Sequence, residues 1–160
     1  MLPPIEAIDG QNRQLVRKFV AEQWGSSLIV SRGRVHHADE LPGFVAFAES
    51  GIQGLVTYDI RGMECEIVTL HSMLENKGMG TALINRVVEV ARAHGCKRLW
   101  LITTNDNSRA FRFYQRRGLV LCAVHLYAIA ESRKIKPEIP LTGFDGIPIL
   151  HEIEFEMMLG

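Results

Sequence analysis

One stretch constrains the fold of this 160-residue chain more than any other. Residues 64–70 alternate like a strand, 75–81 read Glu-Asn-Lys-Gly-Met-Gly-Thr, and 82–94 repeat Leu83, Ile84, Val87, Val88 and Ala91 at helical spacing. Strand, glycine loop and helix in that order gather backbone N–H groups at a helix N-terminus, where the dipole favours an anion. Gly78 and Gly80 let the backbone approach a phosphate with no side chain in the way. The expected cradle is the main chain of Asn76, Lys77, Gly78, Met79, Gly80 and Thr81, helped by the Lys77 ammonium and the Thr81 hydroxyl. No Gly-Lys-Ser/Thr follows, so this is not a P-loop, and Leu83 stands where a dinucleotide fingerprint wants its third glycine. A glycine turn without a ligand is the plain alternative for a lone Gly-x-Gly.

Around this unit the chain reads as one domain, 1–160, with no internal repeat or flexible linker. A short strand at Ile5 and Ala7 leads to a helix capped near Asp9, carrying Leu15, Val16, Phe19, Val20 and Trp24 and stopped by Gly25. Residues 31–42 are polar, hold His36 and His37, and read as a solvated loop. Two β-type runs, 43–49 and 52–60, flank Ser50-Gly51 as a hairpin. After the glycine unit come an apolar strand at 98–103, a helix capped by Asp106 or Asn107 and ended by Gly118, and a strand at 119–126. A short helix at 127–136 precedes Pro137 and Pro140, and 151–159 closes the chain with Ile153, Phe155 and Met157 alternating against Glu152, Glu154 and Glu156. Antiparallel strands leading into a βαβ centre predict an α/β (α+β) fold, a mixed sheet with helices on both faces.

Eighteen basic residues balance eighteen acidic ones, so no net field recruits nucleic acid or an anionic membrane. No apolar run reaches the ~20 residues that span a bilayer, and the first residues lack a signal-peptide pattern. Cys65, Cys96 and Cys122 read as reduced core thiols of a cytoplasmic protein. The six histidines show no metal-ligand spacing, so no metal is expected.

A second segment adds specificity: Asn107, Ala110, Phe113, Tyr114, Gly118 and Leu119 sit at fixed spacing about 25 residues after the glycine loop. Together the two segments resemble the signature motifs of the GCN5-related N-acetyltransferase (GNAT) superfamily, and the resemblance runs from about Ile5 to the C-terminus. It implies a largely antiparallel sheet of six to seven strands and acetyl-CoA as co-substrate, its pyrophosphate on the glycine loop. The family's first motif begins with Gln or Arg, where this chain has Glu75. A carboxylate cannot donate to phosphate, so Glu75 is expected to point away.

By the same resemblance, Tyr114 protonates the departing thiolate and Asn107 bonds the pantetheine arm. A bulged strand at Val68 and Leu70 offers main-chain N–H groups to pantetheine and thioester carbonyl. Tyr114 as a core aromatic and Asn107 as a helix cap are the structural alternatives. An ammonium has no lone pair to attack with, so something must take its proton. Glu64 stands where histone-type members place a glutamate base. Glu66 lies one pleat nearer the acetyl position, and strand alternation puts Glu64, Glu66, Val68 and Leu70 on one face. A water chain is the third route. The implied activity is acetyl transfer to a primary amine, of a small molecule or a peptide, by direct attack. A non-catalytic acyl-CoA-binding sensor or interaction module is the alternative. Residues 127–150 exceed ordinary loop lengths and are rich in large apolar side chains, so they are expected to pack on the domain. There they would wall the amine site or form a homodimer interface.

Overall fold

A computed structural model of the chain describes residues 1–73 and 78–160. Seven strands form one sheet: β1 (Ile5–Ala7), β4 (Gly43–Ala48), β5 (Gly51–Arg61), β6 (Glu64–Ser72), β7 (Arg98–Thr104), β9 (Glu152–Met158) and β8 (Val120–His125), in that spatial order. Among the described residues only β6 and β7 pair in parallel, and the other pairings in the sheet are antiparallel. The helices are α1 (Arg13–Trp24), α2 (Met79–Ala93), α3 (Ser108–Arg116) and α4 (Ala128–Ile135). The α2 stripe Leu83, Ile84, Val87, Val88 and Ala91 is buried against Val56, Ile67, Leu99 and Leu101, and Phe111 and Tyr114 of α3 pack on the same core. Alternation along β4 and β5 sends Val45 and Leu55 to the opposite face, where Val16 and Val20 of α1 cover them. No helix among the described residues is long and apolar enough to cross a membrane.

Three expectations need correction. Residues 31–42 are not a solvated loop: β2 (Leu28–Ser31) and β3 (Arg34–His37) form a hairpin of their own. Its two-residue turn, Arg32-Gly33, has both residues at positive φ (50° and 75°), the geometry that matches strand twist. His36 faces inward from it and is buried. Next, β6 does not alternate evenly. Thr57 pairs with Thr69 and Tyr58 with Ile67, so Val68 is an extra residue and the side chains switch faces across it. Ile67 and Leu70 both pack on the α2 side, whereas Glu66 contacts the β2–β3 hairpin on the other. Glu66 and Leu70 therefore share no face. Lastly, Cys65 and Cys96 are buried as expected, but Cys122 is exposed.

On β7, Arg98 gathers three carboxylates: Glu64 of β6 at 2.9 Å, Glu156 of β9 at 2.6 Å, and Glu154 of β9. Burial works against the Glu154 carboxylate, but hydrogen bonds from His125 and Arg98 outweigh it and hold its pKa below the usual range. A folded pKa below the unfolded value means stability present above about pH 4.3 and lost as pH falls through the folded value. We expect Glu154→Gln to flatten the acid limb of a plot of urea midpoint against pH. An unchanged acid limb would show that the cluster adds nothing to stability.

Candidate active site

The β6–β7 pairing runs from Glu64 with Arg98 to Ile67 with Leu101 and stops, although both strands continue. Beyond it β6 stays with β5 and β7 with β9, so the sheet opens between them. The Val68 bulge sits at the root of this opening and breaks the ladder there, as a strand with main-chain groups to offer a ligand requires. On the α2 side the opening leads into a cleft of about 820 Å³, walled by Leu70, Ser72, Gly78, Gly80, Asn107 and the exposed side of α3.

At the mouth of α2 the two glycines have different reasons to be glycine. Gly78 caps the helix at φ +87°, in the left-handed region. Gly80 has ordinary φ, but a Cβ there would lie 2.7 Å from Cζ of Phe113. It lets α3 approach α2 as well as exposing backbone to a ligand. The first helical bond of α2, from Ala82 N–H to Gly78 O, leaves the N–H groups of the preceding turn aimed out of the N-terminus. Met79 directs its side chain into the core, so only its main chain can face a ligand. The Thr81 hydroxyl accepts from Arg117 Nε at 2.7 Å, and its own proton stays available to a phosphate oxygen. Glu75, Asn76 and Lys77 lie outside the described residues.

The α3 wall carries a feature the sequence reading missed. Arg109, Arg112, Arg116 and Arg117 all line the cleft. The first three recur at i, i+3 and i+7, a basic stripe whose helical period was legible. Arg117 also lies over the Phe113 ring, 3.8 Å from its centroid, which fixes it beside Thr81. Asn107 both lines the cleft and caps α3, its Oδ1 accepting from Ala110 N–H at 3.2 Å. Asp106 is not the cap; it bonds Thr104 and Phe144 instead. Tyr114 lines the cleft half-buried, its ring 5.4 Å from Phe113 and 5.6 Å from Phe155. Burial pushes its phenol pKa up to about 12.

The two carboxylate candidates separate clearly. Glu64 is exposed and paired with Arg98, about 13 Å of strand from Val68, whereas Glu66 is about 7 Å away. Glu66 is sealed beneath the hairpin. Ser31 Oγ donates to its Oε2 at 2.6 Å, and its Oε1 stands 3.3 Å from His36 Nε2 without the alignment of a hydrogen bond. His36 Nδ1 points towards Asp59 Oδ2 at 3.5 Å. Sequence reading found Glu66 but not its neighbours, because only tertiary packing brings Ser31, His36 and Asp59 to it. Just past the bulge on this face, His71 lies edge-on to Phe19 and Trp24, and burial lowers its pKa.

The sequence model of the acetyltransferase (GNAT) family matches residues 12–119, which hold α1, the opened β6–β7 pair and all of α3. The chain is 45% identical over 148 residues to the uncharacterised protein YdhI of Bacillus subtilis, covering 92% of each chain. Two solved structures share its fold at a TM-score of 0.69 and 18% identity: an IAA acetyltransferase from Bacillus cereus, over 97% of this chain and 98% of that one, and a Bacillus subtilis acetyltransferase in complex with CoA, over 99% of each. With more than half its length matched by that family, this chain belongs to the GNAT acetyltransferases.

Proposed function

We propose that the chain moves the acetyl group of acetyl-CoA to a primary amine, of a small molecule or a peptide, by direct attack. The observation that carries this reading is the opened β6–β7 pair, with the Val68 bulge at its root and a basic, phenol-bearing cleft on one side. A pyrophosphate fits the α2 N-terminus, with Asn76 and Lys77 next to it in sequence and the α3 arginines facing it. A Bacillus subtilis acetyltransferase of the same fold is solved in complex with CoA, which supports CoA as the ligand. Main-chain N–H groups at the bulge stabilise the oxyanion as the amine adds to the thioester carbonyl. Glu66 takes the amine's proton through a water, being buried one strand pair before the opening. The C–S bond then breaks, and Tyr114 donates a hydrogen bond to the departing sulfur.

CoA or acetyl-CoA should raise the melting temperature, since a ligand selective for the folded state stabilises it by mass action. Thiol release from acetyl-CoA should then depend on an added amine, tested with spermidine, lysine and a lysine-bearing peptide. The sealing of Glu66 under the hairpin favours a second reading, a non-catalytic acyl-CoA-binding module. A melting shift with no thiol release from any amine would support it. An unchanged melting curve in millimolar CoA would sink both.

A further inference from the structure

Transfer to a protonated amine is not proton-neutral. An ammonium and a thioester become an amide and a thiol, so one proton must reach solvent in each turnover. If Glu66 takes that proton, as the reading above requires, it cannot release it directly, because its side chain is only 4% exposed. The groups around it provide a way out. His36 is 1% exposed and lies between Glu66 and Asp59, with Nε2 3.3 Å from Glu66 Oε1 and Nδ1 3.5 Å from Asp59 Oδ2. Asp59 reaches solvent at 20% exposure and is held by Arg61 Nε at 2.9 Å. Among the described residues, His36 Nε2 and Glu66 Oε1 are the buried side-chain atoms without a hydrogen-bond partner. They face each other. A neutral imidazole with its proton on Nδ1 and an ionised carboxylate both present lone pairs across that gap, and one proton would satisfy both.

We propose that His36 and Asp59 form the proton exit of the active site. The proton that Glu66 takes from the amine passes to His36 Nε2. The resulting imidazolium, flanked by two carboxylates, gives up its Nδ1 proton to Asp59, and Asp59 releases it to water. The ring is then neutral with its proton on Nε2; it resets by exchanging that proton for one on Nδ1 through water and not through Glu66, so that Glu66 stays ionised and each turnover exports one net proton. The charged groups that His36 meets are Asp59 of β5 and Glu66 of β6; Arg61 holds Asp59 from the same strand, Glu64 is drawn off by Arg98, and Ser31 of β2 fixes the far oxygen of Glu66. His36 and Asp59 touch no substrate in this scheme; they serve Glu66. The hairpin that carries His36 is therefore part of the catalytic apparatus, not merely a cover.

The test uses the full chain, with thiol release measured for whichever of spermidine, lysine and the lysine peptide turns over fastest. Asp59→Asn should lower kcat about 10-fold, below the range of a direct acid–base residue, and leave the KM for acetyl-CoA unchanged. Added imidazole should restore part of the lost rate by carrying the proton from the blocked exit. His36→Gln should behave alike, and a melting curve taken in parallel checks that it folds. Should it fail to fold, Asp59→Asn alone decides, since that side chain reaches the surface. Normal kcat in Asp59→Asn, or a lowered kcat that imidazole does not relieve, would overturn the exit path while leaving the acetyltransferase reading intact. No thiol release from the wild-type chain with any amine would overturn both.

Discussion

Replacing Tyr114 with phenylalanine is expected to slow amine-dependent thiol release about 100-fold, the low end of what losing one hydrogen-bond donor to a developing charge costs, with the CoA-induced melting shift unchanged. The ring is held edge-on by Phe113 and tilted against Phe155, contacts a phenylalanine keeps. Only the hydroxyl is lost. With its pKa near 12, that hydroxyl stays protonated across any working pH and always has a proton to offer. A thiol of pKa about 8.5 is the stronger acid of the two, so complete transfer to the leaving sulfur runs uphill. The phenol's contribution is a hydrogen bond that strengthens as charge develops on sulfur, and such a bond acts on kcat rather than on binding. The sign of the pH dependence follows. A phenol with a raised pKa loses its donor only as pH climbs towards 12, so any alkaline limb at lower pH belongs to another group and should persist in Tyr114→Phe. Wild-type turnover in the variant would return Tyr114 to a packing role.

The elements that local pattern specifies were legible. The α2 stripe, the left-handed glycines that end α1 and follow α3, the Asn107 cap and the Ser50-Gly51 hairpin each depend on a few neighbouring residues. What escaped the reading depends on contacts distant in sequence. Ser31, Asp59 and Glu66 come from three separate strands, so nothing local to His36 announces that it is buried among them. A polar stretch with two adjacent histidines looks solvated until a sheet is placed beneath it. The Val68 bulge, implied by the family resemblance, also resets the alternation of β6. One extra residue reverses which face each following side chain occupies, and so Leu70 parts from Glu66. Glu152 shows the same limit: in an alternating strand it reads as a wet glutamate, but it is buried and bonded by Arg32 from the hairpin turn. The arginine stripe of α3 is the different case. Arg109, Arg112 and Arg116 recur at i, i+3 and i+7, so a basic face is local information; that the face borders the cleft is set by the packing of α3 beside α2.

A valine in place of Gly143 is expected to destabilise the fold by about 3 kcal/mol, the upper range for overpacking, and to release residues 127–150 from the domain. Polar contacts tie this segment to the body: of the large apolar side chains expected to pack, Ile149 is buried, but Ile135, Leu141 and Phe144 are exposed. Asp106, 3% exposed, accepts from Thr104 Oγ1 at 2.5 Å and from Phe144 N–H at 3.1 Å, which pins the chain just after Gly143. A Cβ at position 143 would lie 1.9 Å from Asp106 Oδ2 and 3.1 Å from Ile149 Cδ1, so either the carboxylate or the loop must leave. If the carboxylate leaves, a buried charge loses its donors, which costs more than the clash alone. The damage should travel in one direction. Lys136, 7% exposed, donates to the carbonyls of Trp24 and Leu28, tying this segment to the end of α1 and the start of the hairpin that covers Glu66. A released segment thus loosens the face of the sheet that carries Glu66, the face on which the proposed reaction needs the amine, while Gly78, Gly80 and Arg117 on the other side keep their contacts. The expected outcome is a lowered urea midpoint, faster proteolysis within 137–148, and a raised KM for the amine, with a CoA-induced melting shift of wild-type size. Asp106→Asn, which keeps the shape but places an amide at one of the two acceptor positions, should show the same pattern at about 1 kcal/mol. A Gly143→Val protein with an unchanged urea midpoint would show that the segment docks without contributing to the fold, and an unchanged amine KM would place acceptor recognition elsewhere on the sheet.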